Sequence, residues 1–432
     1  MNRRPISRLR RWVIDLCLVV PRSSLAYPFY IFASLVLVDF RRSARQAYER
    51  LAIIFALVIL GLIWSAMHGV VSIASAFIEL GLMLPVLFFV CGFEVRGDHR
   101  STVLAIRLIN ATVFVLSIVN LFAHGFPHKI PYAGMSPDNF AALFGVGGAR
   151  DVTILGFIGL LGELSLQRSS KPVSKAAFAI AAVNFLMPSY VIGIVCGLFA
   201  FVICQIRKPM HLVIVLIVAL PSLYYALFVR ATGLNHTFAQ ETGYNPKVLA
   251  FILIQRVYEQ FPVLAPFGVG TGQFSSTPQT WEDPGLRAIA AHGVPHFPGL
   301  AITSYHQVFL LPYTSLGMQN IYTISSAALK PYNGMATLLI EWGIVGIGLL
   351  LLMLREAKRL APRNTVIWTV VVFFLALNML DLWIDSPWLG IGLLLVKGLG
   401  ADPEDRHDTD PVGLVASVAP NDPVDQRRRT SR

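Results

Sequence analysis

Arg256, His306 and Glu341 are the side chains of this chain best suited to handle charge and protons, and all three lie in or just beyond one long segment, 230–334. Arg256 sits in Ala250-Phe251-Ile252-Leu253-Ile254-Gln255-Arg256-Val257-Tyr258, which reads as a helix within that segment. Its guanidinium can pair with Glu259 on a solvated face, or offer its planar fork to a phosphate or pyrophosphate. Histidine has the side chain that titrates closest to neutrality. Seven histidines cluster in or beside the polar connections: His68, His124, His128, His236, His292, His296 and His306. Glu341 stands about two helical turns into the apolar run that follows.

Two motifs flank these residues. Gly268-Val269-Gly270-Thr271-Gly272-Gln273-Phe274 has neither the spacing nor the strand and helix context of a dinucleotide fingerprint. Gly268, Gly270 and Gly272 read as a backbone-permissive turn whose main-chain N–H groups can approach an anionic group. The segment closes on Lys330-Pro331-Tyr332-Asn333-Gly334 and enters Glu341-Trp342-Gly343-Ile344-Val345-Gly346. His292 and His296 have the spacing of a helical metal pair, but Gly293 and Pro295 between them oppose a helix and no acidic third ligand follows. Neither a metal site nor a cofactor is expected.

The elements that position these residues are membrane elements. The chain of 432 residues is 55% hydrophobic and 14% charged, with mean hydropathy +0.64. A soluble domain carries about 25% charged residues. The formal charge of +11 does not indicate nucleic acid, because the basic residues fall in short segments between hydrophobic runs. Cys17, Cys91, Cys196 and Cys204 all lie in apolar segments and read as packing residues. Arg3 to Arg11 followed by Trp12 to Val20 resembles a signal peptide, but with no cleavage site after Pro21-Arg22 it reads as an uncleaved first span.

Apolar segments near 12–24, 25–40, 51–67, 70–93, 102–124, 140–166, 175–188, 189–206, 211–229, 335–354, 365–380 and 382–397 predict about twelve transmembrane helices, an all-α integral membrane fold. Threaded from a cytoplasmic N-terminus, each inside connection is basic: Arg41/Arg42/Arg45/Arg50, Arg96/Arg100, Arg168/Lys171/Lys175, Arg207/Lys208 and Arg355/Lys358/Arg359/Arg363. The domain expectation is nine spans over 1–229, one large periplasmic loop over 230–334, three spans over 335–397 and a disordered cytoplasmic tail over 398–432. The bilayer expected is the bacterial inner membrane. Apolar patches in the loop, such as Val308-Phe309-Leu310-Leu311, predict short helices lying on the membrane rather than a separate domain.

Charges inside spans need partners. Glu79 and Glu163 are expected to face the bundle interior, and Arg107 to snorkel toward the inner surface. Asp381 and Asp385 read as exposed residues of an outer turn.

An arginine in the loop, a downstream Pro followed by Gly-x-Gly-x-Gly-x-Phe, and an Asn at the mouth of a helix reading Leu-Leu-Ile-Glu-Trp-Gly-Ile-Val-Gly together resemble the bacterial O-antigen polymerase and O-antigen ligase superfamily. The likeness is sharpest over 250–354. It implies inverting, metal-independent glycosyl transfer at the periplasmic face, from a sugar chain on undecaprenyl pyrophosphate, with a chain-length regulator and a flippase as pathway partners. Arg256 matches the arginine that engages the pyrophosphate, with Gly268, Gly270, Gly272 and Asn333 on the substrate side. Where many members have His before the Asn, this chain has Tyr332, a poor base with an ordinary pKa near 10. His306 or Glu341 could then be the base, with Tyr332 orienting the acceptor. Ser189-Tyr190 also stands where a Ser-Arg pair is common. Both departures leave polymerase ahead of ligase, or mark a divergent member with altered chemistry. The rival of another class is a transporter of lipid-linked sugars, which would place broken helices at mid-membrane.

Overall fold

The computed structural model describes residues 26–97, 99–124, 148–168, 173–188, 191–205, 246–282, 299–316, 333–362, 364, 366–381 and 386–400, all within one compact unit, 1–401. The described residues are helical, with no strand among them. The helices are α1 Ala26–Leu37, α2 Arg45–Ala66, α3 Ile73–Cys91, α4 His99–His124, α5 Gly148–Arg168, α6 Lys175–Leu186, α7 Val191–Gln205, α8 Pro246–Gln260, α9 Thr277–Glu282, α10 Leu311–Leu316, α11 Gly334–Leu360, α12 Ile367–Leu380 and α13 Pro387–Gly398. Helices stand at ten of the twelve expected segments. The other two, 12–24 and 211–229, lie outside the described residues, as does 401–432 of the expected tail. Leu399, just past α13, is buried and its carbonyl accepts from His99 Nδ1 at 2.6 Å, so the packed chain runs past 398.

Four helices are long and apolar enough to cross a membrane: Arg45–Ala66, Ile73–Cys91, His99–Val119 and Gly334–Leu360. With these apolar helices the chain is an all-α membrane protein. α3 and α13 form its centre. α13 packs on α3, α5 and α1, and its residues Trp388, Leu389, Ile391, Leu393 and Leu394 are fully buried. α2 lies at the edge, with Ile53, Ile59 and Ile63 exposed along it, the pattern of a helix that meets lipid. α5 and α6 approach closely at Gly156, where a Cβ would overlap the backbone of Phe185. Small residues of this kind let membrane helices pack backbone to backbone.

One ion pair joins two helices inside the bundle. Arg107 grips Glu163 with a two-pronged fork, Nε to Oε1 at 2.6 Å and Nη2 to Oε2 at 2.8 Å, and the Ser174 N–H adds a third donor at 3.2 Å. Arg107 therefore points to a partner helix rather than to the membrane surface alone. Glu79 is buried, as expected of a residue facing the interior. Asp381 is a correction. It is 1% exposed, because the chain turns beneath the mouth of α11, where the Gly334 N–H donates to its carbonyl at 2.8 Å. Asp385 lies outside the described residues.

At the basic end of the bundle, the turns after α1 and α3 pair through Val38 and Val95. There Glu356 of α11 accepts from Arg359 of the same helix at 2.7 Å and from Lys397 of α13 at 2.6 Å. At the opposite end, the turn between α2 and α3 is overlain by pieces of 246–316.

Candidate functional site

α8 begins on Pro246, a residue suited to the first helical turn. Leu249, Leu253 and Val257 form its buried stripe. Arg256 and Tyr258 flank that stripe. The Tyr258 hydroxyl donates to the Leu339 carbonyl of α11 at 2.6 Å. Burial raises the Tyr258 hydroxyl pKa above its ordinary value. The half-buried Arg256 guanidinium donates to the Tyr313 hydroxyl of α10.

α11 is not one continuous helix. At Gly343 the backbone turns to φ 55, ψ −135, a conformation for which a side chain is unsuited. A Cβ there would overlap the Ala265 carbonyl and stand 2.6 Å from the Gly268 nitrogen. The break leaves main-chain groups without helical partners, and the segment 264–276 supplies them. Ile344 N–H donates to the Ala265 carbonyl at 3.0 Å and Val345 N–H to that of Pro266 at 3.4 Å. Val269 N–H donates to the Ile340 carbonyl at 2.8 Å. Irregular backbone at membrane depth is tolerated where protein buries it and satisfies it in this way.

The Gly-rich turn then wraps the Glu341 side chain. Oε1 accepts from the N–H groups of Phe274, Ser275 and Ser276 at 2.8, 3.1 and 3.1 Å, and Oε2 from Gly272 at 2.6 Å. Gly268, Gly270 and Gly272 all have positive φ, as a turn of this tightness requires. The anionic group that these main-chain donors approach is the chain's own carboxylate. Next to it, Ser275 Oγ pairs with Thr337 Oγ1 of α11.

The clamp extends to α2 and α3. Ser65 Oγ donates to the Val269 carbonyl at 2.5 Å, and Trp64 Nε1 to the Val263 carbonyl at 2.9 Å. Gln273 reads the backbone of Ser72, taking its N–H at 2.7 Å and giving to its carbonyl at 2.9 Å. Gln279 of α9 donates to Ser75 Oγ at 2.9 Å. The loop pieces 261–282 and 299–316 are thus bonded to the helix bundle. Other polar groups of these pieces bond to one another, as Gln279 does to the Ala301 carbonyl at 3.1 Å.

His306 opens a π-helical turn, His306–Leu310, that runs into α10. Its Nδ1 meets the Phe274 carbonyl at 2.6 Å. A carbonyl can only accept, so Nδ1 donates in this contact. His306 is fully buried. Asn333 caps α11, its Oδ1 accepting from Ala336 N–H at 2.9 Å while Nδ2 donates to the Met379 carbonyl at 2.6 Å.

Of the residues singled out from the sequence, the structure joins Gly268, Gly270, Gly272, His306 and Glu341 in one clamp, with Asn333 at the mouth of the same helix. Arg256 stands on a neighbouring helix, tied to the clamp through Tyr258 and bonded to Tyr313. Tyr332, His292 and His296 lie outside the described residues. Tyr258, Thr271, Tyr313 and Thr337 carried no signal of their own. Gly343 stood inside a quoted motif, but nothing local marked it as a break. Among the described residues no group of three acidic, histidine or cysteine side chains could hold a metal ion.

The fold and the clamp define a helical membrane protein with a broken helix locked by a buried loop. Comparison with protein-family models, with curated proteins and with solved structures finds no match for the chain.

Proposed function

We propose that the protein is a membrane glycosyltransferase that polymerises undecaprenyl-pyrophosphate-linked oligosaccharide units at the periplasmic face of a bacterial inner membrane. The observation that carries the reading is the clamp around Glu341. It fixes both the helix that presents Arg256, through Tyr258, and the ring of His306, through Phe274. In the reaction, an acceptor hydroxyl attacks the anomeric carbon of the donor in a single displacement that inverts it. The bond to pyrophosphate breaks as the new glycosidic bond forms. Negative charge grows on the departing pyrophosphate, and the Arg256 fork, held by Tyr313, is suited to stabilise it. Glu341 already accepts four N–H groups, which leaves the imidazole of His306 as the candidate base of the two in the clamp. Glu341 then acts as a positioning residue.

The test uses a strain lacking the gene, complemented with wild type, Arg256→Ala or Arg256→Lys, with membrane protein levels matched. Undecaprenyl-linked glycans are extracted and sized. Arg256→Ala should leave single repeat units and no polymer, with Arg256→Lys weak. Full-length polymer from Arg256→Ala overturns the role of that residue, and long chains stranded on the lipid carrier in the null strain indicate a ligase.

One observation favours a second reading. A helix broken at Gly343 and filled by an irregular segment is the kind of element that transporters place around a substrate. Movement of labelled lipid-linked sugar across proteoliposomes, without transfer, would make the protein a carrier.

A further inference from the structure

The basic end of the bundle carries more cations than its own acids engage. The turn after α1 and the last turns of α11 meet there on Glu94. The Glu94 N–H donates to Ser43 Oγ at 3.1 Å, its carbonyl accepts from Asp39 N–H at 2.8 Å, and its carboxylate lies 3.7 Å from Arg359. The other acids of these segments are taken: Asp39 by Arg42, Glu49 by Arg45, and Glu356 by Arg359 and Lys397. Arg41, Arg355 and Lys358 are exposed, and none of the three has an ion pair among the described residues.

Two exposed apolar stripes end on this cluster. Along α11, Ile344, Ile347, Leu351, Arg355 and Lys358 are all exposed, and their spacing of three or four residues sets them on one face. Along α2, which touches α11, exposed Ile63, Ile59 and Ile53 lead to Tyr48 and Arg45. Tyr48 near the start of α2 and Trp368 at the start of α12 are exposed at the same end. Aromatic side chains so placed sit at the headgroup level of a bilayer.

We propose that this cluster binds the headgroup of an anionic phospholipid. Its phosphodiester is held by the neighbouring Arg355 and Lys358 of α11 and by Arg41 of the turn joined to α11 through Glu94, with an acyl chain along the exposed face of α11. Guanidinium and ammonium groups both bond phosphate oxygen, and basic side chains at a membrane surface attract anionic lipid. The Arg42–Asp39 and Arg45–Glu49 pairs are exposed and hold weakly, so both arginines add to the attraction. The stripes decide which anion fits. They place the cluster at the rim of the bilayer, where a lipid phosphate brings its own chain to cover them and a soluble anion does not. The site is independent of the transferase reading.

The test is lipid retention by the full-length protein, purified in detergent, titrated with phosphatidylglycerol or phosphatidylcholine of the same chains and read by native mass spectrometry. Wild type should hold phosphatidylglycerol about tenfold or more tighter than phosphatidylcholine. Each basic residue near a lipid surface contributes a factor of about five, so Arg41→Gln/Arg355→Gln/Lys358→Gln should weaken phosphatidylglycerol by about 100-fold and leave phosphatidylcholine unchanged. Arg41→Lys/Arg355→Lys keeps the charge and should stay close to wild type. Equal retention of the two lipids by wild type overturns the proposal. So does wild-type affinity for phosphatidylglycerol in the triple variant, which puts the lipid elsewhere. Displacement of phosphatidylglycerol by an equal concentration of glycerophosphate marks a soluble-anion site and overturns it too. Should the triple variant fail to fold, the three single glutamine variants decide, each expected to lose about fivefold and overturning the proposal if none does.

Discussion

Removing the Glu341 carboxylate should unlock the loop, and the cost can be counted from its donors. Four main-chain N–H groups, from Gly272, Phe274, Ser275 and Ser276, converge on its two oxygens. A buried donor that loses its acceptor costs about 1–3 kcal/mol. Glu341→Ala strips all four, a loss of roughly 4–12 kcal/mol, of the order of the whole stability of a typical domain at about 5–15 kcal/mol. Water filling the space left by the side chain would satisfy part of this, so the lower half of that range is expected. Glu341→Gln keeps an oxygen for Phe274, Ser275 and Ser276 but turns an amide N–H toward that of Gly272. One donor is then opposed, at about 1–3 kcal/mol. Glu341→Asp retains the charge on a stem one methylene shorter and should fall between the two. The assay is thermal unfolding in detergent together with limited proteolysis across 261–282. The order of stability should be wild type, Gln, Asp, Ala, with cleavage in the loop rising in step. An alanine variant as stable and as protected as the wild type would refute the anchoring role. So would an activity loss shared by all three variants at unchanged stability, which would instead mark Glu341 as a catalytic base.

Other perturbations probe the same architecture. Gly343→Ala puts a Cβ against Ala265 and Gly268 in a backbone conformation suited to glycine, and should cost about 2–5 kcal/mol, read as a lowered unfolding midpoint. Arg107→Leu leaves the buried Glu163 carboxylate without its fork. Because the Arg107 side chain is 31% exposed, the loss should be about 2 kcal/mol rather than the 3–5 of a fully buried pair, and Arg107→Leu/Glu163→Leu should recover most of it in the same assay. Burial raises the Tyr258 hydroxyl pKa, so its contribution is complete below the ordinary value near 10 and is lost as pH rises toward the higher folded value. Unfolding midpoints should therefore fall above about pH 10, and less steeply in Tyr258→Phe, which lacks the ionising group.

The helices were legible because each apolar run is a local property of the chain. Their ends were less so. α2 starts at Arg45, six residues before the apolar run expected from 51, and the Arg45–Glu49 pair at 2.7 Å lies in that first polar turn. Hydropathy does not see polar turns that extend a helix beyond its apolar core. The break in α11 was not legible at all, since Glu341-Trp342-Gly343-Ile344-Val345-Gly346 reads as a continuous span. Its cause lies in residues 265–276, far back in sequence, whose carbonyls and N–H groups replace the missing helical partners. The same distance hid the pairing of Arg107 with Glu163 and the burial of Asp381 beneath the mouth of α11.

The Gly-x-Gly-x-Gly turn and the Glu-x-Gly pair of α11 are two halves of one device. Glu341 and Gly343 are two residues apart, one holding the loop by its side chain and the other admitting it by its backbone. If the loop leaves, the N–H groups of Ile344 and Val345 lose the carbonyls of Ala265 and Pro266, and the Ile340 carbonyl loses Val269. In an apolar environment such groups must be satisfied within the protein, so the loop and the break stand or fall together. Tyr258 then carries any loosening to the helix that presents Arg256, and the Phe274 carbonyl carries it to His306. The geometry of the candidate site is therefore set by a buried carboxylate that need not touch a substrate.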